Sequence, residues 1–242
     1  MLNFRNKFIK SKNIQQNNVK SNYDNKYKFI DFKTKENIEK NIKKTKDFIN
    51  EHLLPIINST NEKLEGNIFM LHETTEYTNI FIDKQINFVL ACSKQNIHNI
   101  LEIGFNAGFS ALLMLISNEN VKITCVDICC HKYTLLCFNK IKEIFGDRIN
   151  LLCKSSVVIL PTLIGNQYDL IHIDGCHLVD ICECDIQNSL KLCKSGTILI
   201  MDDTDNNDLL NVWLKYSFKY KLLSFYKRNF VETKFHNIKV FP

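Results

Sequence analysis

An α/β fold, a mostly parallel sheet covered by helices on both faces, is predicted by three features of this 242-residue chain. From residue 99 onward, short apolar runs rich in Ile, Leu and Val alternate with longer segments of helical periodicity. The first run passes through "LEIGFNAGFS" (101–110), where two glycines sit four apart between a strand and a helix. The tail then changes character: "YKLLSFYKR" and "FHNIKVFP" read as two strands on a short link, so an antiparallel hairpin closes the sheet.

The elements follow in order. "TKENIEKNIKKTKDFINEHLLPII" (34–57) has an apolar stripe of Ile38, Ile42, Phe48, Ile49 and Leu53 and is predicted helical, with Pro55 near its end. A second helix is predicted over 82–95. Strands are expected at 99–103, 121–126, 149–153, 168–173 and 196–201, with helices around 108–118, 131–145 and 178–193 between them. A last helix near 206–217 precedes the hairpin. Three parts are expected: a basic, partly disordered arm (1–33), an N-terminal helical cap (34–98) and the main domain (99–242).

Composition is that of a globular protein: 45% hydrophobic and 24% charged residues, with only 7 Gly and 3 Pro. The net charge of +5 is uneven, since residues 1–50 hold 13 Lys+Arg against 5 Asp+Glu. Such an arm could touch nucleic acid, although a solvated leader is the favoured reading. No secretory signal opens the chain and no run approaches a membrane span, so a cytoplasmic protein with reduced, mostly buried cysteines is expected. The 10 cysteines show no paired CxxC spacing, and structural zinc is not expected.

The glycine turn carries the first chemical signal. Gly104 allows the chain to reverse and a ligand to come close to the backbone, and Gly108 allows tight packing where the next helix opens. A dinucleotide site would read GxGxxG; here the pattern is ExGxxxG, and the Glu102 carboxylate would repel a pyrophosphate but accept a cation or hydroxyl donors. Asp127, at the tip of the second strand, is placed to accept hydrogen bonds from two ribose hydroxyls. The alternative is a tight strand–helix turn with a solvated strand-end acid.

Taken together, Glu102, Gly104, Gly108 and Asp127 resemble the S-adenosylmethionine site of class I methyltransferases, and the hairpin tail is similar to that family's seventh strand. The resemblance spans about residues 80–242. It implies a doubly wound, Rossmann-like seven-stranded sheet of order 3-2-1-4-5-7-6. It further implies that the loop of Gly104, Phe105, Asn106 and Gly108 borders the methionine part of the cofactor, with Asp127 on the ribose and Ser155 and Ser156 of "LLCKSS" near the adenine.

Three acids stand at the tips of two further strands: Asp174 in "YDLIHIDGCH" and Asp202 and Asp203 in "GTILIMDDTD". Carboxylates that converge at the carboxyl end of a sheet suit Mg²⁺ or another hard divalent cation. "HIDGCH…MDDT" is similar to the DGxH…DD pattern of small-molecule O-methyltransferases, which implies a metal on Asp174, Asp202 and Asp203. Such an ion would activate the substrate hydroxyl. In the related pattern DGDH the second Asp can serve as base; here that slot is Cys176, which leaves His177 and Asp174 as the candidate catalytic groups. The plainer roles are orientation of Asp174 or helix capping by His177, and helix capping by Asp202 and Asp203. His172, mid-strand, is read as a core residue, and His72, Glu73 and Tyr77 as candidate wall residues.

The expected activity is methyl transfer from S-adenosylmethionine to a hydroxyl of a small molecule, assisted by a divalent metal. Alternatives are a nucleic-acid or protein methyltransferase, and a decayed module that binds the cofactor without turnover. No membrane partner is expected; a homodimer is the oligomer considered.

Overall fold

The computed structural model describes residues 27–163, 165, 167–224 and 229–242. Residues 1–26 of the basic arm and 225–228 of the first tail strand lie outside the described residues. The chain divides into two compact units, Met1–Asn37 and Ile38–Pro242. In the first, Asp31 accepts hydrogen bonds from the amide and hydroxyl of Thr34 at 3.0 and 2.6 Å. Helix α1 spans Phe32–Phe48.

The helix expected over 34–57 is broken into parts. After α1 comes a wide turn, Ile49–Leu53, in which the Leu54 amide bonds to the Ile49 carbonyl five residues back. α2 (Leu54–Ser59) then starts with Pro55 in its first turn. A proline ring collides with the carbonyl four residues earlier in a regular helix, and the wide turn removes that collision.

The sheet has seven strands in the order β3-β2-β1-β4-β5-β7-β6, as expected. They are β1 (Asn99–Ile103), β2 (Lys122–Asp127), β3 (Ile149–Cys153), β4 (Tyr168–Ile173), β5 (Cys193–Asp202), β6 (Leu223–Ser224) and β7 (His236–Val240). β1 to β5 are parallel, while β7 is antiparallel to both β5 and β6. All six residues of β4 are buried, which is what a central strand covered on both faces requires. β5 begins three residues before the predicted start, because Cys193 pairs with Tyr168 ahead of a register shift between Tyr168 and Leu170.

The covering helices are α3 (Ile82–Cys92), α4 (Phe109–Ser117), α5 (Lys132–Phe145), α6 (Ser156–Ile159), α7 (Val179–Lys191) and α8 (Asn207–Lys219). α4 is buried from Phe109 through Leu115, consistent with a helix that is apolar all round. On the other side Ile186, Leu190 and Trp213 pack with Ile171 and Leu199 in one apolar cluster.

One expectation about cysteine fails. Cys129 and Cys153 form a disulfide, with Cα atoms 5.5 Å apart. The pairing follows from register: Cys153 lies opposite Asp127 on the neighbouring strand, and Cys129 is two residues further along the turn. Of the free cysteines, Cys92, Cys125, Cys137 and Cys182 are buried as expected, whereas Cys130 and Cys176 are exposed. No helix among the described residues is long and apolar enough to cross a membrane.

Candidate active site

Strand register assembles the site. Ile103 lies beside both Val126 and Ile173, and Ile173 beside Met201, so Gly104, Asp127, Asp174 and Asp202 leave the sheet in one row. Above that row is a cavity of about 1130 Å³. Of the predicted residues, Gly104, Phe105, Asn106, Asp127, Ser155, Ser156, Asp174, His177 and Asp203 line it; Glu102, Gly108 and Asp202 do not. Opening at the carboxyl ends of parallel strands is the general placement of ligand sites in such sheets.

The glycine turn is held from below and from one side. Gly104 has φ +92°, and a side chain there would strike the carbonyl of Asp174. The bare backbone at Gly104 thus serves the packing of β1 against the end of β4, which is a different reason from the ligand approach expected. Gly108 has φ +79°, and a side chain would press on the Phe105 ring and come to 2.9 Å of Ile141, in line with the expected tight packing. Between them Asn106 is left-handed at φ 53°, a conformation Asn tolerates.

Asp127 ties the turn to β2. Its Oδ2 accepts the amides of Phe105 and Asn106 at 2.9 and 2.8 Å, and its Oδ1 accepts the amide of Cys129 at 2.6 Å. A carboxylate offers about four lone-pair positions, so roughly one remains on Oδ1 for a hydroxyl donor. Glu102 lies under the floor and has no exposed surface. It accepts the Ser110 hydroxyl at 2.6 Å and the Cys125 thiol at 3.5 Å.

The acids form two overlapping groups rather than one. Ligand atoms of His172, Asp174 and Asp202 lie within 4.8 Å of one another, as do those of Asp174, His177 and Asp203. Asp202 is buried and ion-paired with Lys84 Nζ at 2.6 Å, while its Oδ1 accepts the Asp203 amide at 2.8 Å. His177 Nε2 meets Asp203 Oδ2 at 2.7 Å. Neither acid caps α8: Asn206 does so, accepting the amide of Asp208 at 3.0 Å. His177 does not cap α7 either; the capping position is Leu178, which makes no side-chain bond.

Protonation follows from these contacts. The hydrogen bond to Asp203 raises the His177 pKa to about 9, outweighing the opposing effect of burial. Burial, then the charge of Asp202, lifts Asp174 to about 8. His172 is indeed buried but carries charge: burial disfavours its proton, yet Asp202 and Glu102 hold that proton, and the pKa is about 10. Burial disfavours the charge on Asp202 as well, but Lys84 and His172 more than compensate and hold its pKa far below the usual range.

Several contributors escaped the sequence reading. Lys84 and Phe81 line the cavity beside Asp174, and Glu65 reaches it from the segment before β1, accepting the Asn106 side-chain amide at 3.1 Å. Lys84 was detectable in principle, because it sits four residues before Phe88 and seven before Ala91, on the helix stripe that is otherwise apolar. Of the candidate wall residues only His72 lines the cavity; Glu73 pairs with Lys63 at 2.6 Å, and Tyr77 bonds to Asn50 at 2.8 Å.

Comparison with known proteins agrees with this architecture. Residues 101–204 match the methyltransferase-domain family. Cofactor-bound Rv0187 from MTB superposes with a TM-score of 0.50 at 16% identity, over 68% of this chain and 83% of that one. A putative caffeoyl-CoA O-methyltransferase from Staphylococcus aureus gives 0.51 at 14% identity, over 66% and 81% of the two chains. The SAH-bound methyltransferase PaMTH1 of Podospora anserina gives 0.50 at 15% identity, over 64% and 76%. No curated protein sequence matches the chain. The methyltransferase-domain match starts in β1 and ends just past β5, and the strand order 3-2-1-4-5-7-6 surrounds it.

Proposed function

We propose that this protein transfers a methyl group from S-adenosylmethionine to a hydroxyl of a small molecule. The observation that carries the reading is that one cavity has the glycine turn and Asp127 as well as Asp174, His177 and Asp203 in its lining. The residues present fit the donor. Asp127 keeps hydrogen-bonding capacity for a ribose hydroxyl, the exposed side chain of Ile128 offers an apolar face to a purine, and Ser155 and Ser156 supply hydroxyls beside it. Bound there, S-adenosylmethionine would supply a methyl group on a positively charged sulfur.

The chain's own residues then have three tasks. They align the acceptor oxygen with the methyl, keep the pair in line, and remove the hydroxyl proton. An O–CH₃ bond forms as the C–S bond and the O–H bond break, leaving a neutral thioether. The proton goes to Asp174 or His177 in its unprotonated form. Both are held protonated near neutrality, so the rate is expected to rise as pH passes through about 8 to 9.

Assistance by a divalent cation is the second reading, favoured by the close approach of Asp174, His177 and Asp203 at the cavity wall. These three would hold the ion, which would polarise the acceptor hydroxyl. Asp202, the other ligand expected, is buried away from the cavity lining with the Lys84 ammonium 2.6 Å from its Oδ2, so a cation already stands beside it. Calorimetric titration with S-adenosylhomocysteine, followed by transfer of labelled methyl to a panel of hydroxyl compounds with and without chelator, tests both readings. Binding with transfer to a small hydroxyl compound supports the first, and chelator sensitivity the second. Binding without transfer to any acceptor would support a module that holds the cofactor only.

A further inference from the structure

Helix α3 delivers one cation into this set of acids. Lys84 Nζ lies 2.6 Å from Asp202 Oδ2, with the two side chains 7% and 1% exposed. Taking both ions out of water costs several kcal/mol each, so a buried pair is weak evidence for stability and draws attention when it borders a cavity. Lys84 borders one: it lines the cavity with Asp174, Asp203 and Phe81, and its ammonium lies 5.4 Å from the centre of the Phe81 ring. That ring packs edge-on against Phe235, 5.0 Å between centroids, which also lines the cavity. Among the described residues Asp202 is the one carboxylate in ion-pair contact with Lys84. An ammonium has three N–H donors, so donors remain for a molecule in the cavity.

We propose that Lys84 is a built-in cation: its ammonium fills the place beside Asp202 that a divalent ion would otherwise take, and it donates to the acceptor oxygen that receives the methyl. The second half rests on the methyl-transfer reading; the first does not. A positive group fixed there stabilises negative charge on the oxygen as the O–H bond breaks, and the ammonium keeps its own protons throughout. The fixed charge comes without a metal's need for several coordinating groups, and it already lies 2.6 Å from Asp202 Oδ2. The aromatic pair beside it favours an acceptor with a flat or apolar body.

The test is a Mn²⁺ titration followed by electron paramagnetic resonance on the wild type, Lys84→Ala, and the double variant Lys84→Ala/Asp202→Asn. Lys84→Ala is expected to gain a site at least tenfold tighter at Asp202 than the wild type offers there, and the double variant to lose that gain. Equal stoichiometry and affinity in Lys84→Ala and the wild type would overturn the proposal. If Lys84→Ala does not fold, Asp202→Asn alone decides: Mn²⁺ binding by the wild type should be indifferent to it, and loss of a wild-type ion on that substitution would overturn the idea. S-adenosylhomocysteine binding, measured in parallel, separates the outcomes. Its absence in the wild type removes the methyl-transfer reading while the Mn²⁺ result still judges the cation.

Discussion

The carboxylate of Asp127 accepts three backbone amides, those of Phe105, Asn106 and Cys129, and so shapes the glycine turn from within the protein. Removing it leaves those amides without their acceptor, at a cost on the order of 2 kcal/mol. Asp127→Ala should therefore lower stability in urea unfolding by about that much and weaken S-adenosylhomocysteine binding at least tenfold by calorimetry. A purely ligand-binding acid would change affinity and leave stability alone. Gly104 gives the opposite separation. Its missing side chain makes room for the Asp174 carbonyl, so Gly104→Ala should lower the melting temperature by several degrees with no ligand present. At His177 the sign of the pH dependence is fixed by Asp203. The ion pair raises the pKa to about 9, and a base is available only above its pKa, so turnover should climb through that range. In Asp203→Asn the climb should move toward the ordinary histidine value near 6.5, read from a pH–rate profile.

At the scale of elements, α3 is fastened to the sheet through Lys84 and Asp202. Breaking one partner strands a buried charge, so Lys84→Met is expected to cost about 3–5 kcal/mol and the added Asp202→Asn to recover part of it, measured as a double-mutant cycle. The sign with pH follows from the depressed Asp202 pKa. Its stabilisation is complete above the unfolded carboxylate value of about 4 and is lost only as pH falls through the lower folded value. The Cys129–Cys153 disulfide joins the tips of β2 and β3 across a sequence separation of 24, a loop whose closure is worth about 3 kcal/mol on chain-entropy grounds. Cys153→Ser should lower stability by that order in a non-reducing buffer and make no difference in a reducing one. Element positions were legible because β1 to β5 are apolar runs at regular intervals, whereas the break at Ile49–Leu53 was not, since Pro55 announces an interruption without saying how the helix accommodates it. The disulfide was hidden for a similar reason: it depends on β2 and β3 being neighbours in register, which local spacing cannot show.

Over the whole molecule, the parallel sheet and the row of Gly104, Asp127 and Asp174 followed from alternation and motif, because each strand places the residue after its apolar run at one end of the sheet, while the strand order came from the family resemblance. What lay beyond reach was pairing between distant segments. Lys84 with Asp202, and Glu65 with Asn106, join residues far apart in sequence, and those partners decide which acids stay open. The three acids at 174, 202 and 203 looked equivalent as a motif and are not equivalent in space: Asp174 and Asp203 border the cavity, the latter paired with His177, while Asp202 is buried against a lysine. The central claim is that this cavity holds a sulfonium nucleoside along the glycine turn. Its most direct test is a calorimetric titration of the wild-type protein with S-adenosylhomocysteine, with Asp127→Ala as control. The account predicts one equivalent bound by the wild type and at least tenfold weaker binding by the variant; no heat from the wild type, or equal affinity in the two proteins, would contradict it.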